Sequence, residues 1–187
     1  RPDSVDNDKL DLIGDISKDY YTWIEYGLQT IHNKTLEKVN RGETFETFLK
    51  SYEATKKRGI NVCVHVILGL WETHEEMMQT AQKLAELGVD GVKIHMLCAL
   101  ENTKLAQMYA NKEVDFMSED EYINTVCDFL EYLPQNTTIH RLAGNGLKKE
   151  LIAPRWIGKK LDCLNKIDKE LLRRNSYQGV KYSCTVK

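Results

Sequence analysis

Three segments of this chain alternate apolar and polar residues with the period of a β-strand, and helical segments separate them. The segments are 21–29 (YTWIEYGLQ), 60–68 (INVCVHVIL) and 91–97 (GVKIHML), all rich in aromatic or β-branched residues. Successive side chains of a strand point to opposite faces. Ile24, Tyr26 and Leu28 therefore share a face with Thr22, and Ile60, Val62, Val64, Val66 and Leu68 form the same kind of face, as do Val92, Ile94 and Met96. The opposite faces carry Glu25 and Gln29, then Asn61, Cys63 and His65, then Lys93 and His95. Strands separated by helices predict a parallel α/β sheet, because parallel neighbours need a long crossover.

The helical segments carry their own punctuation. Residues 6–18 place Leu10, Ile13 and Ile16 on one face, and 32–40 form a short helical turn. Thr44 caps a helix to residue 58, which Gly59 ends. Thr73 with Glu76, and Ser118 with Glu121, have the spacing of capping boxes. They predict helices over 73–87 and 118–132, with a shorter one over 103–110 between them. Residues 137–141 (TTIHR) form a fourth short strand, residues 161–174 a last amphipathic helix, and the tail beyond looks loosely held. Four strands are too few for the usual eight-stranded barrel. The expectation is a small open sheet or part of a barrel.

A sheet covered by helices on both sides reads apolar on both faces. This one does not, and burying so many polar groups is costly unless each finds a partner. A lumen or cleft holding a polar ligand at the C-terminal ends of the strands accounts for the pattern. Trp23, Ile67 and Leu97 on that face suit a ligand wall. A sheet whose second face is simply wet is the plainer alternative. Lys93 suits a salt bridge with Glu25, or a Schiff-base nucleophile if burial lowered its pKa. His65, His95 and Glu25 suit a zinc site. His140 and Arg141 end the fourth strand; alternation allows one of them onto the polar face, and Arg141 there suits a carboxylate or phosphate. His32 and His74 read as solvated helix residues. Gly144-Asn145-Gly146 reads as a turn.

Charge and cysteines exclude other classes. The 187 residues hold 26 basic and 28 acidic side chains, a net charge of −2, so no global field draws the chain to nucleic acid or an anionic membrane. No apolar run approaches the ~20 residues of a membrane span. Five cysteines, an odd number, are scattered at 63, 98, 127, 163 and 184. They form no CxxC pair and no three-cysteine cluster loop, and they favour a reducing, cytoplasmic setting. The C-terminal third is locally basic, with Lys148, Lys149, Arg155, Lys159, Lys160, Lys166, Arg173 and Arg174. The chain opens Arg1-Pro2-Asp3 without Met, which reads as a piece of something larger.

Several segments in order resemble the radical S-adenosylmethionine (SAM) enzymes, in detail those of the YhcC/YtqA type. They are IEYGLQTIHNKTLEKVNRG at 24–42, VCVHVILGLWET at 62–73, GVDGVKIHML at 88–97, IHRLAGNG at 139–146, LIAPRW at 151–156 and LNKIDKEL at 164–171. Arg1-Pro2-Asp3 is similar to the TRPD that ends the third strand of such proteins. The resemblance implies a partial parallel (β/α)6 barrel. In it a [4Fe–4S] cluster, held by three cysteines after the first strand, binds SAM and cleaves it to a 5′-deoxyadenosyl radical. By the same resemblance, residues 1–104 are the C-terminal half of the barrel and 105–187 a C-terminal extension. The cluster loop lies outside the segment, which alone is expected to bind no cofactor and to be inactive.

The resemblance further implies roles for single residues. Glu25 and Gln29 fall near the ribose and methionyl group, His65, Ile67 and Gly69 beside the adenine, and His95 and Leu97 near the adenine or substrate. Family members usually read GLPGET where this chain reads Gly69-Leu70-Trp71-Glu72-Thr73, one residue shorter. From about residue 105 the chain also resembles the C-terminal segment of the catalytic subunit of Elongator, which joins a radical SAM barrel to tRNA wobble-uridine modification. That implies a tRNA or other RNA partner for the basic part. A complete lyase using Lys93, a zinc hydrolase, and a non-catalytic binding module are the competing readings. A severed barrel would also leave the first strand as an open edge and self-associate through it.

Overall fold

The computed structural model describes residues 1–144 and 149–183. Asn145, Gly146 and Lys148, and Cys184 in the tail, lie outside the described residues. The chain runs α1 (Asn7–Asp19), β1 (Trp23–Gln29), α2 (Asn33–Lys38), α3 (Phe45–Lys56), β2 (Asn61–Leu68), α4 (His74–Leu87) and β3 (Gly91–Met96). It continues through β4 (Ala99–Leu100), α5 (Lys104–Ala110), α6 (Glu119–Tyr132), β5 (Thr138–Arg141), β6 (Leu151–Ala153) and α7 (Lys160–Arg173). The helices start where side chains satisfy the otherwise orphaned N-terminal amides. Thr44 accepts from the Thr47 amide, and Thr73 and Ser118 complete reciprocal capping boxes with Glu76 and Glu121. Gly88 closes α4 at φ +64°, a left-handed conformation that glycine adopts without steric cost.

Strands β1, β2, β3 and β5 form one parallel sheet in that order. This is a partial parallel (β/α) barrel with an α-rich C-terminal part. Its apolar face is the core: Val62, Val64, Val92 and Ile94 are wholly buried. Phe48 and Tyr52 from α3, Ala81 and Leu84 from α4, and Tyr122, Val126 and Phe129 from α6 belong to the same cluster. The segments 1–104 and 105–187 share this sheet, because β5 lies in the second and pairs with β3 in the first. Strands β4 and β6 make a separate antiparallel pair that the sequence did not reveal. It draws 151–153 back beside the end of β3.

Two expectations need correction. The segment after α7 is not loosely held as far as it is described. The amides of Gly179 and Lys181 donate to the carbonyls of Leu130 and Glu131, and Gln178 Nε2 donates to those of Pro134 and Thr137. Glu131 is the anchor: its carboxylate is 5% exposed and accepts from Ser176 and from the Lys181 ammonium. His32 is not a solvated helix residue either. It is half-buried before α2, and its Nε2–H donates to the Glu76 carbonyl at 2.9 Å. His74 is exposed on α4, as expected, beside Asp128 at 3.2 Å.

Burial opposes the charge on Glu131, but the bonds from Lys181 and Ser176 outweigh it and hold the carboxyl below its ordinary range. A carboxyl depressed in the fold stabilises it above the unfolded-state pKa, and that contribution is lost as pH falls through the folded value. Glu131→Ala is expected to cost about 1–3 kcal/mol in denaturant unfolding at neutral pH. It should also raise amide hydrogen exchange over residues 177–182. Unchanged exchange there would contradict the anchoring role.

Candidate functional site

The parallel register stacks the polar face into rows. Glu25, Cys63, Gly91 and Thr138 are successive partners across the four strands. Gly27, His65, Lys93 and Arg141 form the next row toward the C-terminal ends. Ile67 and His95 pair in the row after that. Because the strands are parallel, each row is read from residues about thirty to fifty apart in sequence.

Glu25 ties the lower rows together. Lys93 Nζ donates to its Oε2 at 2.5 Å, and His65 Nε2 lies 2.8 Å from the same oxygen. The Lys93 bond, helped by His65 and opposed by burial, holds the Glu25 carboxyl below its ordinary range. A carboxylate only accepts, so His65 carries its proton on Nε2. Burial pushes the His65 pKa down, with Lys93 and Arg141 adding to the effect against the pull of Glu25. His65 is thus a neutral donor. Lys93 is an ion-pair partner, the plainer of the two expected roles.

Both residues at the end of β5 reach this face. Val92 pairs with Ile139, but the next residue, Lys93, pairs with Arg141, so His140 is one residue too many. Such a bulge turns two adjacent side chains to the same side. His140 packs edge-on against Trp23 with centroids 4.5 Å apart, and Arg141 sits opposite Lys93. The expectation that only one of the two faces inward fails for that reason. Among the described residues Arg141 has no carboxylate partner, and its charge acts on His65 and His95.

The C-terminal ends of the strands gather the remaining expected residues. β1 bulges between Gly27 and Gln29, and Gln29 takes φ +79°, unusual without a glycine. Its amide folds back over Gly27: a Cβ there would lie 2.8 Å from Gln29 Nε2 and 3.1 Å from the Arg41 guanidinium. Arg41 in turn donates to the Gly27 carbonyl at 2.7 Å. Gly69 leaves β2 at φ +88°, with Met117 and Leu97 against it. In the shortened turn Trp71 takes φ +56° beneath the Lys38 ammonium. His95 Nε2 is buried with no partner. Burial, then Arg141, His65 and Lys93, lower the His95 pKa to about 4. His95 is therefore neutral near pH 7, with a ring nitrogen ready to bond a ligand.

The zinc triad His65, His95 and Glu25 is not what the fold brings together. Among the described residues, the donor atoms that gather within 4.8 Å of one another belong to Glu25, Cys63 and His140. Burial pushes the Cys63 thiol up to about 12 and the Cys127 and Cys163 thiols to about 11. Cys98 is half-buried near the end of β3. No three described thiols meet, so these residues do not fit an iron–sulfur cluster.

The C-terminal basic residues divide. Lys166, Arg173 and Arg174 are bound to Glu119, Glu170 and Asp128. Arg155 and Lys159 are exposed and without an ion pair among the described residues. Pro154 and Trp156, on either side of Arg155, line a small cavity with Gly69, Met96 and Leu97, so Arg155 flanks the C-terminal ends of the strands.

Parallel strands joined by helices, with one apolar and one polar face, define a partial α/β barrel. The family model described as radical SAM superfamily matches residues 2–84, and that of the radical SAM C-terminal domain matches 89–173. YtqA of Bacillus subtilis (strain 168) is 39% identical over 180 residues, 96% of this chain and 56% of YtqA. YhcC of Escherichia coli (strain K12) is 31% identical over 181 residues, 96% of this chain and 58% of YhcC. The tRNA uridine(34) acetyltransferase of Methanocaldococcus jannaschii is 29% identical over 118 residues, 61% of this chain and 22% of that protein. The solved structure of archaeal Methanocaldococcus infernus Elp3 with an N-terminal deletion shares the fold. Its TM-score is 0.74 at 20% identity, over 89% of this chain and 39% of that one. The chain belongs to the radical SAM superfamily. It spans a little over half the length of YtqA and YhcC. Among the described residues no helix is long and apolar enough to cross a membrane.

A histidine whose pKa is lowered in the fold stabilises the protein above its unfolded value, and the effect is lost as pH falls through the folded value. For His95 that window runs from about 6.5 down to about 4. His95→Gln is expected to flatten the fall of the denaturant midpoint across this range relative to the unsubstituted chain. An identical slope would show that His95 is not held neutral by burial.

Proposed function

We propose that this chain is part of a radical SAM enzyme that acts on RNA, with a tRNA wobble uridine as the substrate, in the cytoplasm. The observation that carries the reading is the partnerless buried Nε2 of His95 at the end of a polar face, in a chain of this superfamily. A nucleoside needs an apolar wall for its base and a few directed polar groups. Ile67 and Leu97 offer the wall, and His95 Nε2, the Gln29 amide and the half-buried backbone at Gly69 offer the polar contacts. Glu25 and His65, held by Lys93, set the charge beneath them, and Arg141 suits an anionic group such as a carboxylate. SAM bound with an iron–sulfur cluster supplies the 5′-deoxyadenosyl radical that takes a hydrogen from substrate. This chain's residues bind and orient the nucleoside end and keep water from it. Because no three described thiols meet, the segment alone is expected to hold no cluster and cleave no SAM.

Similarity to a tRNA uridine(34) acetyltransferase supports the RNA substrate, as do the exposed Arg155 and Lys159, which have no ion pair among the described residues. Four free thiols among the described residues support a reducing compartment. A longer protein, carrying the further length its relatives have, is to be reconstituted without oxygen and given SAM and dithionite. It should form 5′-deoxyadenosine, about tenfold or more slowly with Gln29→Ala or His95→Ala, a loss of at least ~1.4 kcal/mol. No cleavage by that protein would reduce the resemblance to one of fold. Double substitution of Arg155 and Lys159 by Ala should weaken tRNA binding and reduce its salt dependence. Unchanged affinity and slope would remove the basic pair from the RNA site.

We also propose that the segment alone self-associates. Strand β1 is an edge of the sheet, and Tyr20 and Tyr21 beside it are 70% and 83% exposed. An unpaired edge pairs readily with another chain. Sedimentation should show dimers or larger species at high concentration, and a clean monomer would refute the open edge.

A further inference from the structure

The first row of the polar face to cross all four strands carries a different chemistry. Glu25, Cys63 and Gly91 are register partners on three adjacent strands and share the polar face. The third position has no side chain of its own, and His140 fills it from the bulge in β5. A Cβ on Gly91 would lie 2.7 Å from His140 Nε2 and 2.8 Å from the Trp23 ring. Only glycine leaves that room. The edge-on contact with Trp23 fixes the imidazole in place.

The result is a carboxylate oxygen, a thiol sulfur and a ring nitrogen, all within 4.8 Å of one another. A tetrahedral zinc with bonds of ~2.0–2.3 Å sets its ligand atoms roughly 3.3–3.8 Å apart. Donor atoms within 4.8 Å of one another need to close by no more than about 1–1.5 Å to reach that spacing. Lys93 and His65 both bond Oε2 of Glu25, and Oε1 has no hydrogen bond among the described residues. Those two bonds already orient the carboxylate, as partners of metal-ligating groups do. The thiolate and carboxylate balance the two charges of a divalent ion, so the site with Lys93 carries the same single positive charge that Lys93 brings.

We propose that Glu25, Cys63 and His140 form a zinc-class metal site on the polar face, with three protein ligands and a fourth position open. On binding, the Cys63 S–H bond breaks, its proton leaves to solvent, and an S–Zn bond forms with no change of oxidation state. The site lies two rows from Ile67 and His95, so a metal here does not compete with a nucleoside at the strand ends. The inference stands independently of the proposed activity.

The test uses the 187-residue chain, stripped with a chelator and titrated with Co²⁺ and then Zn²⁺. One equivalent of Co²⁺ should produce thiolate-to-cobalt charge-transfer absorption and the intense visible bands of a four-coordinate ion, and Zn²⁺ should bleach them. Cys63→Ser should abolish the charge-transfer band, and Cys98→Ser should leave it. His140→Ala, at an exposed position where folding is not at risk, should weaken binding about tenfold or more. The proposal is overturned if the unsubstituted chain, native by circular dichroism, shows no thiolate band. It is equally overturned if the band survives Cys63→Ser, or if His95→Ala weakens binding and His140→Ala does not.

Discussion

Glu25 accepts from Lys93 and His65 at a single oxygen, across three neighbouring strands, and the polar face is organised around that contact. Without it, Lys93, only 16% exposed, would hold an uncompensated charge against the sheet. With it, the charge of Lys93 is met, and among the described residues Arg141 is left without a carboxylate partner. Burial keeps His65 and His95 neutral, with Lys93 and Arg141 adding to it and Glu25 pulling the other way. The face thus combines one ion pair with two neutral histidines.

Two bulges do the positioning. The one in β1 bends Gln29 back over Gly27, and the one in β5 turns His140 and Arg141 to the same side. Glycines at 27 and 91 leave the space these side chains occupy. The face therefore carries more functional groups than regular strands of this length would present. Its lower row suits a metal, and its upper rows suit a nucleoside beside the exposed Arg155.

Much of this was legible from residues alone. The two-residue period assigned Glu25, Cys63, His65, Lys93 and His95 to one face, and the capping boxes at Thr73 and Ser118 marked the starts of α4 and α6. Order and spacing of motifs led to the superfamily. What escaped was non-local. β4 and β6 have two and three residues and pair across about fifty positions, so no local pattern announces them. The β5 bulge is invisible to strict alternation, which is why His140 and Arg141 read as alternatives. The tail reads as loose because its anchor, Glu131, lies on a helix more than forty residues earlier. A signal for the Cys63–His140 pairing did exist: a glycine opening a strand beside a cysteine marks a place where something approaches closely.

If the C-terminal ends of these strands hold the nucleoside end of SAM, nitrogen NMR of labelled histidines, in the longer protein titrated with SAM, should show the ring nitrogens of His95 shifting on saturation while those of His74, exposed on α4, stay still. Saturable binding that leaves His95 unmoved would contradict that placement.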